Sequence, residues 1–170
     1  MNTNFLSISV NSPWGFYKSN FSESLNIEYI NLMSASDEIL DLTVRRYKNS
    51  FERHLGVVFN EYKNGYCEIV LAIKPEHVNI AGCVHGGIIS ALCDIALSGA
   101  VTCNFAEGAE KVVTMQMNIN YLRAGMGDDV LTAFGQVIKQ GRTIYFVEGG
   151  VRNKKGELIA KASGDWFVKS

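Results

Sequence analysis

Between Gly86 and Ala106 the chain carries a single charged residue, Asp94. A run this long and this apolar has two possible homes, a lipid bilayer or the interior of a folded protein. Ser90, Ser98, Thr102 and Asn104 are scattered along it with Asp94. They favour a helix buried in protein, from about Gly86 to about Asn104, over a membrane span. The question for the rest of the chain is what covers that helix.

The segments on either side answer it. Upstream, Leu55 to Tyr62 and Tyr66 to Lys74 read as two strands joined at Asn64-Gly65, a dipeptide suited to the positive backbone angles of a tight hairpin. Pro75 ends the second strand, and a polar loop through Glu76, His77 and Asn79 leads to Gly82. Downstream the apolar period becomes two. Val113, Met115, Met117, Ile119 and Tyr121 fall on one face, and Thr114, Gln116, Asn118 and Asn120 on the other. Strands are also expected over 130–139, 143–152 and 158–168, with turns at Gln140-Gly141 and at Asn153-Lys154-Lys155-Gly156. Two strands, one long apolar helix and four strands predict an α+β chain in which a curved antiparallel sheet wraps the helix, the hotdog architecture. A chain of 170 residues with 47% apolar composition can bury one such core.

Before this core the first thirty or so residues are polar-aromatic and irregular, with Pro13 and Trp14 among them. From Ser36, a plausible N-cap followed by Asp37 and Glu38, the residues Leu40, Val44, Tyr47 and Phe51 recur at helical spacing. The expected organisation is an extension over residues 1–50 containing one amphipathic helix, then the core domain over 51–170.

Sixteen basic against seventeen acidic residues give none of the positive excess that nucleic-acid binding needs, and a lone helix is no helix-turn-helix. Cys67, Cys83, Cys93 and Cys103 form no C-x-x-C pair and have no nearby histidine cluster, so neither zinc nor a disulfide framework is expected. The amino terminus lacks a basic region followed by an apolar run. These readings predict a cytoplasmic protein with free thiols, no metal or cofactor, and no nucleic-acid or membrane partner. His54 and His77 are expected at the surface or in loops, and Cys93 as a small buried hydrophobe.

The chemistry concentrates in Asn79-Ile-Ala-Gly-Cys-Val-His85-Gly86-Gly87 and the Asp94 that follows. Two glycines at a helix start leave backbone amides unshielded, and those first amides lack partners within the helix. Such donors suit the oxyanion that forms when a thioester carbonyl is attacked. Asp94, the one ionisable group in the helix, is costly to bury unless it is paired or faces a cavity. Gly86 and Asp94 are eight residues apart, hence about 12 Å along one helix, too far to act on the same carbonyl carbon. If they cooperate, one subunit supplies the Gly86 amide and another supplies Asp94, across a two-fold axis.

The pattern N-x-x-G-x-x-H-G-G-x6-D, here Asn79, Gly82, His85, Gly86, Gly87 and Asp94, resembles the signature of the PaaI-like branch of hotdog thioesterases. The resemblance runs from about Phe51 to Val168 and includes Leu55-Gly56-Val57 and Gly141-Arg142. It implies hydrolysis of an acyl-CoA or aryl-CoA thioester without a cofactor, by a homodimer or a dimer of dimers. It implies that the Gly86 amide forms the oxyanion hole, Asp94 serves as nucleophile or general base, Asn79 positions thioester or water, and His85 supports the loop. Thr114 is the matching candidate for a hydroxyl that supports the acid, and Gly87 and Arg142 are candidate substrate contacts. Two other readings stay open, a non-catalytic acyl-CoA-binding or sensor protein and a hotdog acyl hydratase or dehydratase. The acid at Asp94 and the tying of His85 into a His-Gly-Gly turn favour the thioesterase.

Overall fold

The computed structural model describes residues 7–12, 15–20, 50–105 and 112–169. Near the amino terminus β1 (Ser7–Ser12) and β2 (Gly15–Asn20) form an antiparallel two-stranded sheet. This corrects the expectation of an irregular leader. The helix expected from Ser36 lies outside the described residues as far as position 49. Its periodicity does not carry through to Phe51, because Ser50 is extended (φ −91°, ψ 165°) and its side chain caps a new short helix, α1 (Phe51–Leu55).

That helix also shortens the first core strand. Gly56 takes a left-handed conformation (φ 91°) and its N–H returns to the carbonyls of Glu52 and Arg53, ending α1 as glycine does best. β3 therefore runs Val58–Lys63 rather than from Leu55. It meets β4 (Tyr66–Ala72) through Asn64 and Gly65, with φ of 53° and 73°, the pair of positive angles that the Asn-Gly dipeptide predicts. A 3₁₀ turn (Pro75–His77) and a loop lead to α2 (Gly86–Thr102). Then follow β5 (Val112–Tyr121), β6 (Val130–Gln140), β7 (Ile144–Arg152) and β8 (Leu158–Val168).

Six strands form one antiparallel sheet in the order β3-β4-β6-β7-β8-β5, and α2 packs against all of them. The inward side chains of the helix, among them Leu92, Cys93, Leu97 and Val101, are wholly buried against Ile69, Leu71, Leu131, Val147, Ile159 and Trp166. Each large apolar side chain so buried contributes roughly 2 kcal/mol of hydrophobic stabilisation. The helix approaches so closely at β6 that a Cβ on Gly135 would lie 2.5 Å from the Ala96 carbonyl oxygen. α2 ends at Thr102, two residues short of the expected Asn104, and the Asn104 side-chain amide donates to the carbonyls of Ala100 and Val101. These bonds satisfy carbonyls that a helix end leaves open.

β5 departs from strict alternation. Its pairing with β8 slips between Thr114 and Gln116, so Met115 is an extra residue. Thr114 lies opposite Trp166, which reaches Ser98 on the helix, while beyond the slip Tyr121 reaches Gly86. An even-numbered and an odd-numbered residue thus share the helix-facing side. Met115 is 59% exposed, at the free edge of the sheet.

Candidate active site

The loop before α2 is shaped by Asn79. Its Oδ1 accepts from the N–H groups of Ala81 and Cys83, at 2.9 and 3.1 Å, and its own N–H donates to the Cys83 carbonyl at 2.8 Å. Gly82, at φ 80°, supplies the left-handed residue that closes this turn. Val84 N–H donates to the Gly125 carbonyl, so the loop is pinned to the connection between β5 and β6. The side-chain oxygen of Asn79 is thereby committed to the turn. Its amide nitrogen has no partner among the described residues and is the group left to meet a ligand.

His85 is the N-cap of α2, with extended dihedrals, and its Nδ1 accepts from the Gly87 N–H at 2.9 Å. A cap bond of this kind answers one of the open donors of the first turn. It leaves the Gly87 amide unavailable to a substrate oxygen, so Gly87 is fitted to the cap: a Cβ there would lie 2.9 Å from the His85 Nδ1. The Gly86 N–H has no partner among the described residues. It stands at the positive end of a 17-residue helix, where a developing negative charge is favoured.

Gly86 and Asn79 border a hollow of about 410 Å³, together with Ile89, Tyr121, Leu122 and Arg123. The Tyr121 hydroxyl donates to the Gly86 carbonyl at 3.3 Å, and Arg123 donates to the Leu158 carbonyl at 2.8 Å. Neither Tyr121 nor Arg123 was a candidate from the sequence. Tyr121 is reached only by knowing the slip in β5, and nothing local marks Arg123.

Two turns further along α2, Asp94 is half-buried and its Oδ1 accepts from the Thr114 hydroxyl at 2.9 Å. The structure therefore brings Thr114 to Asp94 and Asn79, His85, Gly86 and Gly87 to one another. It does not bring Asp94 to Gly86 within a chain, since both sit on one unbroken helix eight residues apart. Arg142 joins neither group. It is exposed in the turn between β6 and β7, where the neighbouring Thr143 accepts from Val168 N–H, and Val168 faces Val112 at the end of β5 remote from Tyr121.

The other titratable groups sort readily. Cys93 is fully buried, and burial pushes its thiol up to about 12, which removes it as a nucleophile at neutral pH. Lys154 pairs with the exposed Asp128 at 3.0 Å, and its backbone N–H bonds the buried Asp129. His54 is exposed as expected, whereas His77 is not a surface residue, being only 4% exposed. Burial lowers the His77 imidazole below its ordinary range. No described helix is long and apolar enough to cross a membrane.

Residues 81–160 match the family model described as the thioesterase superfamily. The chain is 33% identical to human acyl-coenzyme A thioesterase 13 over 115 residues, which are 66% of this chain and 80% of that protein. A hypothetical thioesterase protein of Streptococcus pneumoniae solved with coenzyme A is 32% identical, with a TM-score of 0.60 over 68% of this chain and 87% of that one. The fold is also that of the PaaI protein of E. coli, from its phenylacetic acid degradation operon, at a TM-score of 0.70 and 22% identity over 81% of this chain and 97% of that one. With the wrapped helix and the Asn79 to Asp94 segment in place, this chain belongs to the thioesterase superfamily and has the hotdog fold.

Proposed function

We propose that the protein hydrolyses acyl-CoA thioesters at two composite sites of a homodimer, each made from the Gly86 turn of one subunit and Asp94 of the other. The observation that carries the reading is the open Gly86 N–H at a helix start, paired with a carboxylate fixed by Thr114 on the same helix and out of its reach. β5 is an edge strand of ten residues with an open side, which offers a second copy a place to pair. Pairing there across a two-fold axis would set two α2 helices antiparallel, the orientation in which a Gly86 turn meets a partner aspartate. A dimer of such dimers is compatible with the same sites.

In this site the substrate carbonyl oxygen takes the Gly86 N–H, with the Asn79 amide nitrogen beside it. Asp94 accepts a proton from water as the water oxygen bonds to the carbonyl carbon. The resulting oxyanion is held by the Gly86 amide until the carbon–sulfur bond breaks, and the departing thiolate of coenzyme A recovers the proton from Asp94. Direct attack by the Asp94 carboxylate, with an anhydride then opened by water, uses the same donors. Arg142 could serve the composite site only from the partner, since in its own chain it lies at the far end of the sheet. Residues 51–170 form the proposed catalytic domain. The four free thiols suit a reducing compartment, for which we take the cytoplasm.

The test is release of free coenzyme A from aryl, short, medium and long acyl-CoA thioesters by the parent protein and by Asp94→Asn. The variant is expected to lose roughly 100-fold or more in kcat, the contribution of a positioned base. Parental turnover in a folded Asp94→Asn protein removes the assigned role. Binding of the acyl-CoA panel without hydrolysis by the parent would replace the enzyme by a sensor.

A further inference from the structure

His77 lies outside the hollow at Gly86, yet three separate parts of the chain converge on it. Its Nδ1 accepts from the Lys74 N–H at 3.1 Å, which ties it to the end of β4. The backbone of Leu55, the last residue of α1, stands beside the ring. Its own carbonyl accepts the N–H of His85 at 2.9 Å, and His85 is the N-cap on which the Gly86 peptide hangs. Val78 and Val84 continue the contact as a bridge, so the two arms of the loop are held together beside the histidine.

We propose that His77, held as the neutral imidazole with its proton on Nε2, is a positioning residue that sets the placement of the Gly86 oxyanion turn. The inference rests on the reading of that turn as the oxyanion hole. An Nδ1 that accepts from the Lys74 N–H carries no proton, so the ring is neutral with its proton on Nε2. The charged groups facing it are Glu76 and Lys74, of opposite sign, and α1 presents the Leu55 backbone. A ring that lost this bond would leave the part-buried Lys74 N–H unpaired and free the 3₁₀ turn to move, carrying the His77 carbonyl away from the His85 N–H. A donor misplaced by even about 1 Å can lose roughly 100-fold in rate.

The experiment compares His77→Leu, His77→Asn and Asp94→Asn with the parent in coenzyme A release from the acyl-CoA panel, using the full chain. Leucine keeps an apolar bulk and cannot accept from the Lys74 N–H. Asparagine places an acceptor where Nδ1 stood and keeps the Lys74 bond. We expect His77→Leu to lose roughly 10- to 100-fold in kcat with KM nearly unchanged, because the turn acts on the transition state. His77→Asn should recover most of that loss, and exchange of the His85 amide should be fast in the leucine variant and slow in the asparagine variant. Parental kcat in a folded His77→Leu protein, with Asp94→Asn inactive, overturns the positioning role and leaves the proposed site intact. An active Asp94→Asn protein overturns both. Should His77→Leu fail to fold, nitrogen NMR of the parent imidazole decides: a single neutral tautomer persisting below pH 6.5 supports the proposal, and an imidazolium or a tautomer mixture there overturns it.

Discussion

At the scale of single residues, the site depends on bonds that the family pattern does not display. Thr114 fixes one oxygen of Asp94, leaving the other free for water or the carbonyl. A hydrogen bond to a charged group is worth roughly 1.5–3 kcal/mol, so Thr114→Ala should lower kcat by about tenfold or more and also cost stability of up to about that size. Steady-state turnover beside a urea titration separates the two effects. Gly87→Ala poses the opposite problem, because two terms of similar size compete in stability. Alanine gains about 1 kcal/mol over glycine inside a helix, and displacing the His85 ring from its cap bond costs about 1 kcal/mol. The expected result is a small change in the urea midpoint with a clear fall in kcat, since the displaced ring disturbs the Gly86 peptide. His77 adds a dependence on pH. Its folded imidazole titrates below the ordinary 6.5, so just below that value the unfolded chain binds more protons than the folded one. Stability should therefore fall as pH drops below 6.5 until the folded ring itself protonates, and His77→Asn should flatten that part of the curve. Urea titrations at a series of pH values would show it.

At the scale of elements, the helix and the sheet are fitted to one another through small residues. A Cβ on Gly135 would meet the Ala96 carbonyl and the Leu97 backbone, which have no flexible end to yield. Gly135→Ala should destabilise the protein by roughly 1–3 kcal/mol, the cost of overpacking, and shift α2 enough to disturb the contact between Asp94 and Thr114. A lower urea midpoint together with a lower kcat is the expected pair of outcomes. The elements themselves were largely legible in the sequence. The long apolar run with its one charge marked α2, Asn64-Gly65 marked the first hairpin, and the strands after 130 fall within a residue or so of the expected ends. What escaped was decided by tertiary contact. The slip at Met115 leaves no mark in the alternation of β5, yet it puts Thr114 and Tyr121 on the same side. The helix ending at Leu55 was hidden because Phe51 also fits the period of the segment before it, and the cap at Ser50 separates them. Asn79, Gly86 and Asp94 stood out as candidates because they fall in one loop and one helix. Arg123 and the burial of His77 did not stand out, since the carbonyl that Arg123 meets, Leu158, is distant in sequence and no local pattern marks His77 as buried.

At the scale of the whole molecule, the separation of Gly86 from Asp94 makes quaternary structure a matter of chemistry. Consider a mixed dimer in which one subunit carries Asp94→Asn and the other Asn79→Ala. If each site draws its turn and its acid from the same chain, both sites carry one defect and the mixed dimer is as inactive as either homodimer. If the two come from opposite chains, the intact turn of the first subunit meets the intact Asp94 of the second, and the remaining site collects both defects. The mixed dimer should then regain about half of the parental rate per dimer, one working site of two. Co-expression with two different affinity tags and sequential purification isolates it, and coenzyme A release measures the recovery. The recovered activity should also disappear on dilution below the dimer dissociation constant, because a monomer holds only half of each composite site. Recovery with that concentration dependence requires the shared site, whereas an inactive mixed dimer of folded subunits would place both groups in one chain and force a rearrangement of α2 that an unbroken helix does not permit.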